Sequence, residues 1–439
     1  MNERTGIYAR RLSQMIKHET ISENGQIDKT KFLEFHKLMR ELFPHIFGVC
    51  SFFEHDGSFI MRWPGKNPGQ KLLLMNHHDV VEATGEWKHP PFSGEIAEGK
   101  VWGRGAIDDK GELWAMFQAA DELAADGFVP EYDVWFESAC TEETDGAGAD
   151  WLSKYMADHV LRFDLVLDEG GMILDEPIGG AKGTFAMIGV GEKGCADIKF
   201  TARSAGGHAS APGKNTPLVR LGKFMAAIDR NDVFKAELSD VTCEMLKRLA
   251  PTMHGIQAKF MARPEKYRGI LARVMKSLSP MAASLISTTL AFTVAKGSEG
   301  NNVLPEEAYV IGNMRYSHHQ PLEDSLKEVK RYARRFDIEV EVLDPGFSSS
   351  ISDFRSDGFR LVERAVNEVF PGVLTSPYLM TGASDARYMS RVSDCCIRFA
   401  PFKIDDEQMA SIHGINESVD LSCLEPAVDF YKYIIREVG

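Results

Sequence analysis

Apolar positions along this 439-residue chain recur at two periods, and the alternation between them predicts a layered molecule of sheet and helix. Residues 5–18 and 29–42 carry apolar side chains at three-to-four spacing and predict helices. Short apolar runs at 48–53, 59–63 and 71–75 predict strands. The run Leu72-Leu73-Leu74-Met75 is wholly apolar, as in a central strand covered on both faces. Residues 112–126 put Leu113, Met116, Phe117, Ala120, Leu123 and Ala124 on one helical stripe. A strand at 134–140, a helix at 149–157 and a buried strand at 165–167 continue the alternation. The pattern predicts a parallel or mixed sheet sandwiched by helices, with ligands gathered at the carboxyl ends of its strands.

From Gly194 the order changes to a strand at 195–203, a helix at 218–228, strands at 287–295 and 308–315, a helix at 322–335 and a strand at 338–343. That βαββαβ order is ferredoxin-like. It predicts an α+β domain over 193–346 inserted into a first domain made of 1–192 and 347–439, which ends in a helix at 425–438. Residues 230–286 fit neither pattern and read as extra helical decoration on the insert. No repeat, low-complexity tract or linker interrupts the chain.

Composition narrows the classes. With 44% hydrophobic and 26% charged residues, the chain is that of an ordinary globular protein, and its formal charge of −14 offers no basic stripe for nucleic acid. The first residues lack the apolar stretch of a secretory signal, and the most apolar run, 281–295, is too short to span a bilayer, so no membrane partner is expected. Seven cysteines are an odd number, and they include no Cys-x-x-Cys pair, which points to a reduced, cytoplasmic setting.

Five short polar clusters then stand out where apolar strands give way to loops: His77-His78-Asp79, Asp108-Asp109, Glu142-Glu143, Asp168-Glu169 and His413 through Glu417. Two imidazoles, two terminal carboxylates and a bridging carboxylate are what a pair of closely held zinc ions requires. His77 and Asp79, two apart in an extended segment, point to one side, so Asp79 can hold one imidazole nitrogen while the other binds metal. His78 should face away. Asp108 follows the flexible turn Gly103-Arg104-Gly105 and suits the bridge, with Asp109 as the cap of the next helix. Of the Glu142-Glu143 doublet, one acid can bind metal while the other accepts a proton from water.

In these runs, and in GGHASAP, NNVLPEEAYVIGNMR, TGASDAR and IHGINESV, the chain resembles the aminoacylase / carboxypeptidase S family of di-zinc metallopeptidases, in the clan of glutamate carboxypeptidases and succinyl-diaminopimelate desuccinylases. The resemblance covers nearly the whole chain. The segment LISTTLAFTVAKG looks most like the carboxypeptidase S and N-acyl-amino-acid hydrolase branch. The family's usual proline after the Asp-Val-Val run is Glu82 in this chain.

The resemblance implies that His77 and Glu169 (or Asp168) hold one zinc, that Glu143 and His413 hold the other, and that Asp108 bridges them across a cis peptide to Asp109. It makes Glu142 the general base and Asp79 the support of His77. His208 would reach the site of a partner subunit, while Asn302, Arg315, Gly382 and Arg387 would bind the substrate carboxylate. Two Zn2+, with Co2+ or Mn2+ as alternatives, are the implied cofactors, and a homodimer through the insert is the implied assembly. The implied reaction is hydrolysis of an amide in a small peptide or an N-acyl amino acid. A catalytically silent metal-binding scaffold is the competing reading, and the intact Glu142 opposes it.

Overall fold

The computed structural model describes residues 2–23 and 28–438. The first domain is built on a nine-stranded sheet. Its order is Ser51–His55, Ser58–Trp63, Asp133–Ala139, Gln70–His77, Leu165–Asp168, Cys396–Arg398, Thr184–Glu192 and Leu374–Met380, with Ile173–Asp175 added beside Thr184–Glu192. Gln70–His77 runs parallel to both Asp133–Ala139 and Leu165–Asp168, so three neighbouring strands end on one edge. The apolar run divides as a period of two requires. Leu72 and Leu74 join the larger core, under the helices Glu3–Lys17, Lys110–Ala125 and Leu421–Glu437, whereas Leu73 and Met75 face the helix Ala147–Asp158.

One strand expectation shifts, and one strand was not foreseen. Residues 48–53 begin inside a short helix, Pro44–Val49, whose proline sits in the first turn where a missing N–H costs nothing; the strand starts at Ser51. Leu374–Met380 was hidden by Pro377, which the sheet accommodates because this strand lies at its edge.

The chain leaves the large sheet at Glu192 and enters a second sheet at Gly194. That sheet is antiparallel, in the order Thr289–Lys296, Glu307–Tyr316, Gly194–Arg203, Glu339–Asp344. The helices Pro217–Arg230 and Leu322–Ala333 close its core around Phe200, Phe224 and Val310. This is the ferredoxin-like order. The outgoing and returning chains run side by side: the Glu192 N–H donates to Ser349 Oγ at 3.0 Å, and the Ser352 N–H donates to Val190 O at 2.7 Å.

The helical run departs from expectation. Its helices Asp240–Leu249, Gly255–Met261, Arg268–Leu278 and Pro280–Ser284 share a core with Phe185 and Met187 of the first domain's sheet, and so decorate that domain and not the insert. The Thr184–Glu192 strand presents an apolar face there, and Met245, Leu246 and Leu249 cover it.

Candidate metal and catalytic centre

Parallel strands deliver the first groups. His77 is the last residue of Gln70–His77, Asp168 the last of Leu165–Asp168, and Glu142-Glu143 follow Asp133–Ala139 within a few residues. The turn before the helix Lys110–Ala125 brings Asp108 against them, and the segment after the helix Asp406–Ser411 brings His413. His77 Nε2 lies 3.0 Å from Asp108 Oδ1, and His413 Nε2 lies 3.1 Å from Asp108 Oδ2 and 2.9 Å from Glu143 Oε2. Asp108 therefore stands between two imidazoles, one on each carboxylate oxygen. His77, Asp108 and Glu143 each offer a donor atom within 4.8 Å of the others, and the peptide joining Asp108 to Asp109 is cis.

Asp79 organises the far side of this cluster. His77 Nδ1 faces the Asp79 carbonyl at 3.0 Å and its carboxylate at 3.3 Å, which leaves Nε2 directed at Asp108. The same carboxylate accepts the N–H of Glu142 at 3.2 Å, that of Glu143 at 3.1 Å and the Ser22 hydroxyl at 2.6 Å. One buried aspartate thus fixes an imidazole and the backbone of both glutamates. His78 turns away, stacked between Phe35 and Phe59 and bonded to Ser138 Oγ at 2.8 Å. Asp109 does not cap its helix; its carboxylate accepts the His77 N–H at 3.2 Å.

The Asp168-Glu169 alternative divides clearly in space. Asp168 Oδ2 accepts the Ala386 N–H at 2.7 Å, so the fold already uses it. Glu169 is pushed well above the usual carboxylate range by burial and by Asp108, Asp168 and Glu142.

Sequence reasoning gave Glu417 no role, yet it shapes the Asp108 turn. Its Oε1 accepts the N–H of Ile107 at 2.8 Å and of Asp108 at 3.0 Å, while Oε2 accepts Arg104 Nη1 at 2.7 Å and the Gly105 N–H at 3.1 Å. Gly103, at φ +147°, passes so close to Ile16 that a Cβ would meet its Cγ2 at 2.4 Å. Asp385 was also missed. It is buried with neither carboxylate oxygen hydrogen-bonded among the described residues, Arg387 Nη2 standing 4.0 Å from Oδ1, and it is pushed up to about 8 by burial and Asp168 against the opposing pull of Arg387. Its signal was an acid two residues before an arginine in TGASDAR.

The substrate-side residues are dispersed. Arg387 packs over Gly146, where a Cβ would meet its Nη2 at 2.7 Å, and its charge reaches Glu142. Gly382 lies exposed just before that segment. On the insert, His208 is exposed in a two-residue strand paired with Val303–Leu304, its Nδ1 bonded to Ser210 Oγ at 2.7 Å. Asn302 adjoins it, its carbonyl accepting the Ala209 N–H at 2.9 Å, and Arg315 Nε donates to Asn313 at 3.0 Å.

The charge balance of the cluster fits a cation. His413 is pulled up to about 10 by Asp108 and Glu143, and the same excess of carboxylate charge raises His77 well above its ordinary value despite full burial. Burial raises Glu143, and its Oε1 is buried without a hydrogen-bond partner among the described residues. Imidazole nitrogens and carboxylate oxygens that compete for protons in this way suit a divalent metal, which satisfies all of them together.

The comparisons agree with this geometry. The model of the peptidase family M20/M25/M40 matches residues 73–437. The human N-fatty-acyl-amino acid synthase/hydrolase PM20D1 is 30% identical over 417 residues, covering 93% of this chain and 82% of that protein. The carboxypeptidase S of Saccharomyces cerevisiae is 26% identical, covering 92% of this chain and 78% of that one. Among solved structures, the M20 family metallo-carboxypeptidase Sso-CP2 of Sulfolobus solfataricus superposes with a TM-score of 0.72 at 17% identity over 99% of both chains. Human carnosine dipeptidase 1 superposes with a TM-score of 0.69 at 14% identity, covering 99% of this chain and 96% of that one. With a family model matched over most of its length, this chain belongs to peptidase family M20/M25/M40, and it is a metal-dependent hydrolase.

Proposed function

We propose that the protein hydrolyses the amide bond of N-acyl amino acids or small peptides that carry a free carboxylate, using two Zn2+ ions. The observation that carries this reading is the meeting of His77 and His413, drawn from segments more than three hundred residues apart, on the two oxygens of Asp108, with Glu143 against His413. His77 and Glu169 would hold one ion, Glu143 and His413 the other, with Asp108 between them. When bound, the ions lower the pKa of water toward neutrality and offset negative charge on the scissile carbonyl.

The chain's own groups do the rest. Glu142, whose proton affinity is raised by burial, accepts the proton of the attacking water and returns it to the departing amine. Arg387, with Gly382, grips the substrate carboxylate, and the charge of Arg387 also steadies Glu142. His208 acts on the site of a second subunit in a homodimer formed through the insert, where its exposed imidazole donates to the developing oxyanion, and Asn302 and Arg315 help hold the substrate carboxylate. All seven cysteines are free, which fits a reducing, cytoplasmic compartment.

Dialysis against a chelator is expected to lower activity at least about a hundredfold, the scale of several kcal/mol of lost electrostatic help. Titrating back Zn2+, Co2+ or Mn2+, with metal content followed by mass spectrometry, should restore it at two ions per chain. Full activity in demetallated protein would refute the reading.

A cavity of about 520 Å3 favours N-acyl amino acids over peptides. Its wall includes Gly170, which follows Glu169, and Met172, Met187, Met245, Leu285 and Met380. Met409, on the helix leading to His413, lines it as well, so two segments that carry site residues also wall the cavity. Its methionine-rich wall suits a flexible apolar chain. Lengthening the acyl group is expected to raise kcat/KM by about three- to fourfold per CH2, the equivalent of ~0.8 kcal/mol, until the cavity is full. Leu285→Trp should flatten that series and leave turnover of the acetyl substrate unchanged. Equal rates for acetyl and dodecanoyl substrates would exclude the acyl assignment.

A further inference from the structure

The helical run that covers the catalytic sheet carries a second apolar face, turned to solvent. In the helix Arg268–Leu278, Leu271, Ala272 and Met275 point into the core, as expected. Yet Ile270, Val274 and Leu278, one turn apart on the other side, are 53%, 46% and 49% exposed, and Met281 extends the row at 64%. Ile256, on the neighbouring helix Gly255–Met261, is 69% exposed. Single exposed apolar residues need no explanation, but a continuous row on an otherwise charged surface does.

The charge around this row is opposite in sign to that of the molecule. Residues 255–281 hold six Lys and Arg against one acid, Glu265, in a chain of formal charge −14. Lys247 neutralises that one acid from outside the segment. Arg268 and Lys276 pair with Asp240 and Asp232, whereas Lys259, Arg263, Lys266 and Arg273 form no ion pair among the described residues. Arg273 stands within the apolar row itself, and no acid does.

We propose that this face docks on an anionic lipid surface, with Ile270, Val274, Leu278 and Met281 dipping among the acyl chains and the unpaired basic residues of the segment, Arg273 among them, at the headgroups. An apolar row flanked by basic side chains is the arrangement of a helix lying in a bilayer interface. A second copy meeting this face through a two-fold axis would bring the basic residues against their own equivalents, which like-charge repulsion opposes. Continuity with the site gives the docking a purpose. Met281 belongs both to the exposed row and to the wall of the methionine-lined cavity, which the acids Asp175, Glu176, Asp405 and Asp406 line too, so the lipid would approach the cavity from its Met281 side. An amphiphile dissolved in the bilayer could then enter tail first without crossing water.

The test is flotation of the full-length protein with vesicles of phosphatidylcholine alone or containing a third phosphatidylserine. Binding is expected only with phosphatidylserine, and 0.5 M salt should weaken it about tenfold or more. The variant Ile270→Glu/Val274→Glu/Leu278→Glu alters solvent-facing positions only; it should lose at least about tenfold in vesicle affinity. Arg263→Glu/Arg273→Glu should lose a similar factor on anionic vesicles. Both variants should hydrolyse a water-soluble short-chain substrate at the parent rate, which separates this proposal from the catalytic reading. Three results would overturn it: no binding of the parent to anionic vesicles, undiminished binding of the triple variant, or a change in solution mass as the only effect of that variant, which would mark the face as a protein contact.

Discussion

Replacing Glu142 with glutamine is expected to lower kcat by about 10²–10⁴-fold, the usual contribution of a positioned proton acceptor, while leaving metal content and substrate KM near those of the parent. The substitution keeps the size of the side chain and the backbone N–H that donates to Asp79 at 3.2 Å, so the loop stays in place. What it removes is a proton acceptor whose affinity is raised by burial and by Asp385 and Glu143, and moderated by His77 and Arg387. Steady-state kinetics together with metal analysis would decide the matter. Loss of metal would reassign Glu142 as a ligand, and retention of turnover would remove it from the chemistry.

The second large effect concerns stability and arises behind the Asp108 turn. Glu417→Leu should destabilise the protein by about 3–5 kcal/mol, because it strands the buried Arg104 guanidinium without its counter-charge. Arg104 would keep its bond to the Gly414 carbonyl at 2.7 Å, which cannot replace a carboxylate. The amides of Gly105, Ile107 and Asp108 would lose their common acceptor as well, so Asp108 should no longer be presented between the two imidazoles. Urea unfolding measures the first effect and metal affinity the second. Adding Arg104→Met should recover much of the stability, since an apolar pair tolerates burial, but not the metal affinity. A Glu417→Leu protein as stable as the parent would show that the pair contributes little.

The metal-facing cluster was legible because its residues sit where apolar runs end, and strand ends are local features. The spacing of His77 and Asp79 foretold that both turn to one side and that His78 turns away, which follows from the pleat. Other assignments failed for want of a partner the local pattern does not name. Asp109 precedes a helix and looked like its cap, but the His77 N–H, which runs alongside, takes its carboxylate. Asp168 and Glu169 are equivalent in a string of letters, and the Ala386 N–H that engages Asp168 lies 218 positions away along the chain. Likewise, nothing in the helical segment reveals that Met245 and Leu246 seek Phe185 and Met187 of the first domain. Hydrophobic burial fixes that a face will be covered, and it carries no address.

By itself the amino-acid order determined the alternation of strand and helix, the interrupting ferredoxin-like unit and the inventory of donors, since each depends on neighbours a few residues apart. Only the tertiary structure decided which donors meet. Arg104 and Glu417 lie 313 positions apart, yet their ion pair holds the turn that places Asp108 between His77 and His413. Such pairings depend on the summed packing of a sheet and its covering helices, and a linear pattern does not record it.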